Sequence, residues 1–168
     1  GFGTDRDGKN QFSTKVTDAN GIWKESFTNV RGLNTAVLSQ YSQGSDIWTS
    51  FNYNAINELI EVKDDQDNLT ESTYDWLGRR TKVVQPNAGT TTFEYDLANN
   101  MTRRVTANLA AIKKAITYEY DYSRLIHINY PENPQNNVTY TYGEPGAKHN
   151  RAGRMVLQED ATGAQEFF

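Results

Sequence analysis

The sequence predicts an all-β protein: an antiparallel meander of hairpins forming one twisted, curled sheet of about a dozen short strands. Three observations carry this. Apolar residues recur at every second position in short runs such as Thr91, Phe93 and Tyr95, with Thr92 and Glu94 facing the other way. Turn signals of the form Asp/Asn-x-x-Gly/Asn punctuate the chain, several of them ten or eleven residues apart. A larger unit also repeats. Tyrosines stand at 53, 74, 95, 120 and 142, with Phe51, Phe93, Tyr118 and Tyr140 two before the anchor and Thr49, Thr70, Thr91, Ile116 and Val138 four before it. Self-similarity at such a period marks a repeat architecture, in which a unit buries its apolar side only against its neighbours.

Taken in order, the turns fall at Asp5-Gly8, Asp18-Gly21, Asn29-Gly32, Asn54-Asn57, Asp65-Asn68, Asp75-Gly78 and Asp96-Asn99. They resume at Asn133-Asn136, Asn150-Gly153 and Asp160-Gly163. Asp75-Trp76-Leu77-Gly78 suits a type I turn, because Asp at the first position bonds the backbone ahead and Gly at the fourth accepts positive φ. Asn57 and Asn99 stand in for that Gly, Asn being among the residues most tolerant of positive φ. Pro86-Asn87-Ala88-Gly89 makes the next turn, so Arg79 to Gln85 and Thr90 to Tyr95 form the two arms of a hairpin. Gly78 is expected to tolerate substitution less well than Asp75, which on this view contributes one side-chain hydrogen bond. Ala107 to Ile116 has helical propensity but only about ten residues, short for a stable helix. An extended loop with one helical turn is expected there, between two strands.

Composition agrees with a sheet. Hydrophobic residues are 36% of the chain, yet aromatics reach 12%, with 10 Tyr, 7 Phe and 3 Trp. The net charge is −4 without a basic block, which argues against nucleic acid or an anionic membrane as partner. Cysteine is absent, so disulfides and thiolate metal sites are excluded. No apolar run approaches a membrane span, so no membrane insertion by these residues is expected. Residues 1–168 read as one domain, and the opening Gly-Phe-Gly-Thr-Asp reads as mid-repeat, so a segment of a longer protein is expected.

The residues Tyr74-Asp75-x-x-Gly78-Arg79, closed by Phe93-Glu94-Tyr95-Asp96, resemble the YD repeat of Rhs proteins, whose relatives include the B and C components of bacterial Tc toxins and the teneurins. The likeness is strongest from Tyr53 to Phe168. The repeat anchors are then Tyr53, Tyr74, Asp75, Gly78, Arg79, Tyr95, Asp96, Tyr120, Asp121, Tyr142, Gly153 and Arg154. Two units depart from the pattern: the turn after Asp121 is one residue short, and Tyr142-Gly143 lacks the Asp. The resemblance implies a segment of a hollow β-shell that encapsulates a toxin polypeptide, secreted by a bacterium, non-catalytic and without a cofactor. Its implied partners are the remaining repeats of the shell and the enclosed cargo, with edge strands open to self-association. A second reading is an extracellular adhesion module that binds carbohydrate or protein.

No residue pattern points strongly to catalysis. His127 falls in a strand and His149 in a polar loop, neither at metal-ligand spacing from other donors. The acidic run Asp64-Asp65-Gln66-Asp67-Asn68 is rich in oxygen donors but lacks the spacing of a calcium loop, and a solvated turn is the better reading. Asp75, Asp96 and Asp121 recur because the turn needs them, whereas acid/base chemistry needs a unique facing pair. Trp23, Trp48 and Trp76 are each expected to pack on a neighbouring hairpin. Trp76, inside a turn, is the one best placed to be exposed and to bind.

Overall fold

The structure, a computed structural model, describes residues 1–41 and 46–168. Contacts group the chain into two compact units, Gly1–Gly89 and Thr90–Phe168. The first holds β1 (Phe2–Thr4), β2 (Asn10–Thr17), β3 (Trp23–Thr28), β4 (Asn34–Gln40), β5 (Asp46–Tyr53), β6 (Leu59–Lys63), β7 (Leu69–Tyr74) and β8 (Arg80–Gln85). β9 (Gly89–Tyr95) opens the second. It continues with β10 (Met101–Val105), the helix α1 (Ala107–Ala111), β11 (Ile116–Asp121), β12 (Arg124–Asn129), β13 (Val138–Tyr142), β14 (Met155–Asp160) and β15 (Gly163–Glu166). Within each unit strand order is chain order, and every pairing between successive strands is antiparallel. The all-β meander read from the sequence is therefore the observed fold, with fifteen strands among the described residues rather than a dozen.

The expected helical turn is present as α1. Thr106 caps it, its hydroxyl accepting the Leu109 N–H at 3.4 Å. It stops where Lys113 turns to positive φ, letting the Lys114 N–H return to the Leu109 carbonyl and the Lys113 N–H to that of Ala110. These two bonds are a Schellman ending built on a lysine. Two turn boundaries move. The turn placed at Asp65-Asn68 begins one residue earlier, because the Asp64 carboxylate captures the Gln66 and Asn68 amides and Asp67 takes the positive φ. The turn placed at Asn150-Gly153 closes instead from Arg151 to Arg154, since His149 and Asn150 are both left-handed and carry the chain past it.

Complete burial is rare. Among the described residues Phe27, Ala36 and Val83 are the buried hydrophobic side chains and Asp5 the buried charged one. In the first unit Phe27 on β3 faces Ala36 on β4 in register, and its ring lies 5.4 Å from that of Trp48 on β5. The same unit curls. Arg6, in the turn after β1, donates to the carbonyls of Asp64 and Asp65 and to the Asp67 carboxylate, in the turn after β6. Those two turns lie at opposite ends of the strands, and the intervening ones bring them together by twisting.

Candidate functional site

The recurrent feature is one turn, built the same way seven times among the described residues. At Asp5, Asp18, Asn29, Asn54, Asp64, Asp75 and Asp96, Oδ1 accepts backbone N–H groups two and four residues ahead. The N–H three ahead returns to the carbonyl of that first residue, as Gly78 does to Asp75 at 3.0 Å. Position four carries a left-handed φ, 77° at Gly78, and is filled by Gly, Asn or Asp. One short acceptor side chain thus satisfies two backbone donors that the sheet cannot reach.

Asp75 does more than this turn requires. Its Oδ2 also accepts the Arg79 Nε–H at 2.7 Å, an ion pair largely withdrawn from solvent. Burial would raise this carboxyl's pKa, but the Arg79 and Leu77 amides and the Arg79 guanidinium outweigh it and hold it below the ordinary value. Asp96 bonds Asn100 Nδ2 where Asp75 bonds Arg79. Asp121 pairs with Arg124 across a two-residue turn in which Tyr122 has positive φ, the shortened turn foreseen in the sequence. At Tyr142-Gly143 the carboxylate is missing, yet the backbone bonds survive. Gly143 donates to the Arg154 carbonyl at 2.9 Å and Gly153 to the Gly143 carbonyl at 2.7 Å. Gly153 and Arg154 therefore occupy the places of Gly78 and Arg79, with a longer loop inserted between.

The anchor tyrosines have a role that spacing alone did not reveal. Tyr74, Tyr120 and Tyr142 donate their hydroxyls to the carbonyls of Leu59, Met101 and Leu125, at the start of the preceding strand, at 2.8–3.0 Å. Burial raises the phenol pKa of Tyr120, and that of Tyr118 against the opposing charge of Arg104. At each anchor the facing strand carries one extra residue, a β-bulge. The extra residues are Ile60, Thr81, Thr102, Ile126 and Val156, and Thr35 serves likewise opposite Thr28. All are β-branched. Thr35, Thr81 and Thr102 also return their hydroxyls to the carbonyl just before the anchor position, at 3.2–3.4 Å.

The remaining candidates resolve individually. Trp76 is 89% exposed, contrary to the expectation that it packs on a neighbouring hairpin: its side chain projects from the tip of a turn whose bonds all run through backbone and Asp75. Trp48 packs on Phe27, and Trp23 lies under the Lys15 ammonium, 3.6 Å from the ring centroid. Val30, Ile56, Leu77, Leu97 and Tyr122 are also exposed in turns at the anchor ends of their strands. The acidic run around Asp64 is occupied by Arg6, while Lys63 sits 2.9 Å from Asp67. His127 Nδ1 meets the Thr139 hydroxyl at 3.3 Å. Among the described residues no group of three His, Cys, Asp or Glu side chains is placed to hold a metal ion.

This geometry defines a β-repeat protein whose unit is a hairpin closed by an Asx-type turn and pinned by a tyrosine. Residues 74–111 match the RHS Repeat family. No curated protein matches it by sequence. Its fold is that of Tc toxin structures. The TcdB2-TccC3 crystal structure superposes on 98% of this chain with a TM-score of 0.60 at 18% identity, using 10% of its own length. The Tc holotoxin pore of Photorhabdus luminescens covers 96% with a TM-score of 0.62 at 17% identity, using 9% of its length. TcdB2-TccC3 without its hypervariable C-terminal region covers 83% at 20% identity, TM-score 0.58, using 8% of its length. The chain thus spans about a tenth of the structures it matches.

Proposed function

We propose that this chain is a non-catalytic stretch of shell wall in a secreted bacterial toxin complex, where it helps isolate a toxin polypeptide from its surroundings. The carrying observation is the turn. The same Asp- or Asn-capped hairpin recurs along the chain, and the Oδ1 of each cap is committed to its own backbone, which suits a wall and leaves little for chemistry. The fold shared with Tc structures over nearly the whole chain supports the reading. The natural partners are further repeats and the enclosed polypeptide. The end strands β1 and β15, each paired on one side, are where another copy or another repeat would add.

The test uses the complete protein in which this chain resides. Under limited proteolysis the cargo region is expected to survive intact, and to become sensitive when residues 53–96 carry turn-breaking substitutions. Equal cleavage of the cargo with and without an intact wall would overturn the reading. Turnover on a panel of hydrolase substrates, lost on a single substitution such as His127→Ala, would overturn its non-catalytic part.

The exposed Trp76 favours a second reading, an adhesion module that recognises carbohydrate or protein. Cell or glycan binding abolished by Trp76→Ala with an unchanged melting temperature would establish it.

A further inference from the structure

We propose that the break in the repeat after β13 creates a binding groove for a neutral, hydroxyl-rich ligand of saccharide type. This proposal does not depend on what the wall encloses. Most connections at the anchor ends of the strands are tight turns, but here the chain runs out at Gly143 and returns at Gly153. The loop is held at its base. Gly143 is buried and forms a parallel bridge with Ala152, and a Cβ on it would lie 2.2 Å from the Arg151 carbonyl oxygen. Only glycine permits that approach, so the loop is preformed rather than collapsed onto the sheet.

The detour leaves a cavity of about 580 Å³, within the range of small-molecule sites. Asp121, Arg124, Tyr140, Tyr142, Glu144 and Ala152 line it. Arg124 is paired with Asp121 and lies over the Tyr142 ring, 5.3 Å from its centroid. The Tyr142 hydroxyl is spent on the Leu125 carbonyl, leaving its ring as a surface. Glu144 is exposed, with no side-chain hydrogen bond to a described residue.

The wall thus offers two carboxylates as acceptors, one guanidinium as donor and two aromatic rings. An anion would meet Asp121 and Glu144. A cation would meet Arg124, already in the favourable position over Tyr142. Hydroxyl groups, which both donate and accept, satisfy all three charged groups without opposing any, and the C–H face of a sugar ring matches an aromatic ring.

Amide NMR spectra of the chain, titrated with maltose, lactose and diacetylchitobiose, test this. Tetralysine and a sulfated heparin fragment serve as charged probes. At least one neutral sugar is expected to shift the Gly143, Glu144 and Gly153 amides saturably. Glu144→Ala should weaken that binding by about tenfold or more, the loss of one charged acceptor. Ala152→Leu, which fills the groove from an exposed position, should abolish it. If Ala152→Leu disturbs the loop, Glu144→Ala still decides, since that side chain supports nothing in the fold. The proposal is overturned if no neutral probe shifts those amides, if only a charged probe does, or if the shifts persist unchanged in Glu144→Ala.

Discussion

The hydroxyl of Tyr74, at the end of β7, donates to the carbonyl of Leu59, at the start of β6, at 2.8 Å. Tyr120 and Tyr142 repeat the arrangement with Met101 and Leu125. The bond explains why the anchor is tyrosine and not phenylalanine: the ring packs on the sheet while the hydroxyl satisfies a carbonyl at a strand end, where the bulge disrupts the ladder. Tyr74→Phe, Tyr120→Phe and Tyr142→Phe should each destabilise the protein by about 0.5–1.5 kcal/mol. Tyr53→Phe should cost less, because the Tyr53 hydroxyl makes no such bond to a described residue. Urea melts of the four variants check the order, and equal losses at all four would show that ring packing alone matters.

Gly78 and Asp75 rank differently once the geometry is known. Gly78→Val places a β-branched residue at φ 77°, a penalty of at least about 1–2 kcal/mol. Asp75→Ala removes two backbone caps and the Arg79 ion pair together, leaving the Leu77 and Arg79 amides short of an acceptor. Asp75→Ala should therefore be at least as damaging as Gly78→Val, reversing the expectation drawn from a single side-chain bond. Gly78→Asn should be nearly neutral, as Asn already fills this position at Asn57 and Asn99. Thermal melts showing Asp75→Ala milder than Gly78→Val would return the earlier order.

Alternation, turn residues and the tyrosine spacing made the meander legible, because a two-residue period and an Asx turn are local properties of the chain. The bulges were not, although a trace existed. Ile60, Thr81 and Thr102 each stand seven residues after an anchor, and each is β-branched. A β-branched residue in a strand looks ordinary, and only register shows it to be the unpaired one. The Arg6 contact was equally hidden, since charge patterning carries no information about a partner 58 residues away. At the candidate groove, the missing Asp after Tyr142 was visible, but the equivalence of Gly153 with Gly78 emerged only from the backbone bonds. Thr81→Val should cost only about 0.5–1.5 kcal/mol, as it loses one hydroxyl bond but keeps the branching. Deleting Thr81 should cost far more, because it removes the bulge and forces the β7–β8 register to change. Comparable melting temperatures for the two variants would show that the bulge is dispensable.

Stability should also fall at alkaline pH. The phenols of Tyr118 and Tyr120 are raised above the ordinary tyrosine value by burial, so the folded chain holds these protons more tightly than the unfolded one. Their contribution is complete below about pH 10 and is lost as the pH climbs through the folded-state values. Ionised Tyr120 also cannot donate to Met101. The denaturation midpoint should hold steady from pH 6 to 9 and then drop, with a shallower drop in Tyr120→Phe. An identical alkaline limb in that variant would assign the loss to other groups.

Curling of the first unit offers the sharpest test of its architecture. Phe27 is 2% exposed, and its loss to Ala should cost about 3–5 kcal/mol by removing a ring from a site already packed against Trp48. Arg6 acts at longer range. Its guanidinium joins the turn after β1 to the turn after β6 through two carbonyls and the Asp67 carboxylate, whose pKa is lowered chiefly by Lys63, then by Arg6. Replacing Arg6 with Gln keeps some donors but removes the charge and the fork. Hydrogen exchange in the Asp64–Asn68 turn should then accelerate although no local residue has changed, while exchange in the Asp96–Asn100 turn, outside that unit, stays as it was. Acidifying the unmodified protein through the depressed Asp67 value should lower the protection factors of the same turn, measured against the intrinsic exchange rate at each pH, because a depressed carboxyl stabilises above its unfolded value and loses that contribution on protonation. Unchanged exchange at residues 64–68 in Arg6→Gln would mean that β1 and β6 are brought together by the sheet alone, with the arginine merely resting on the surface.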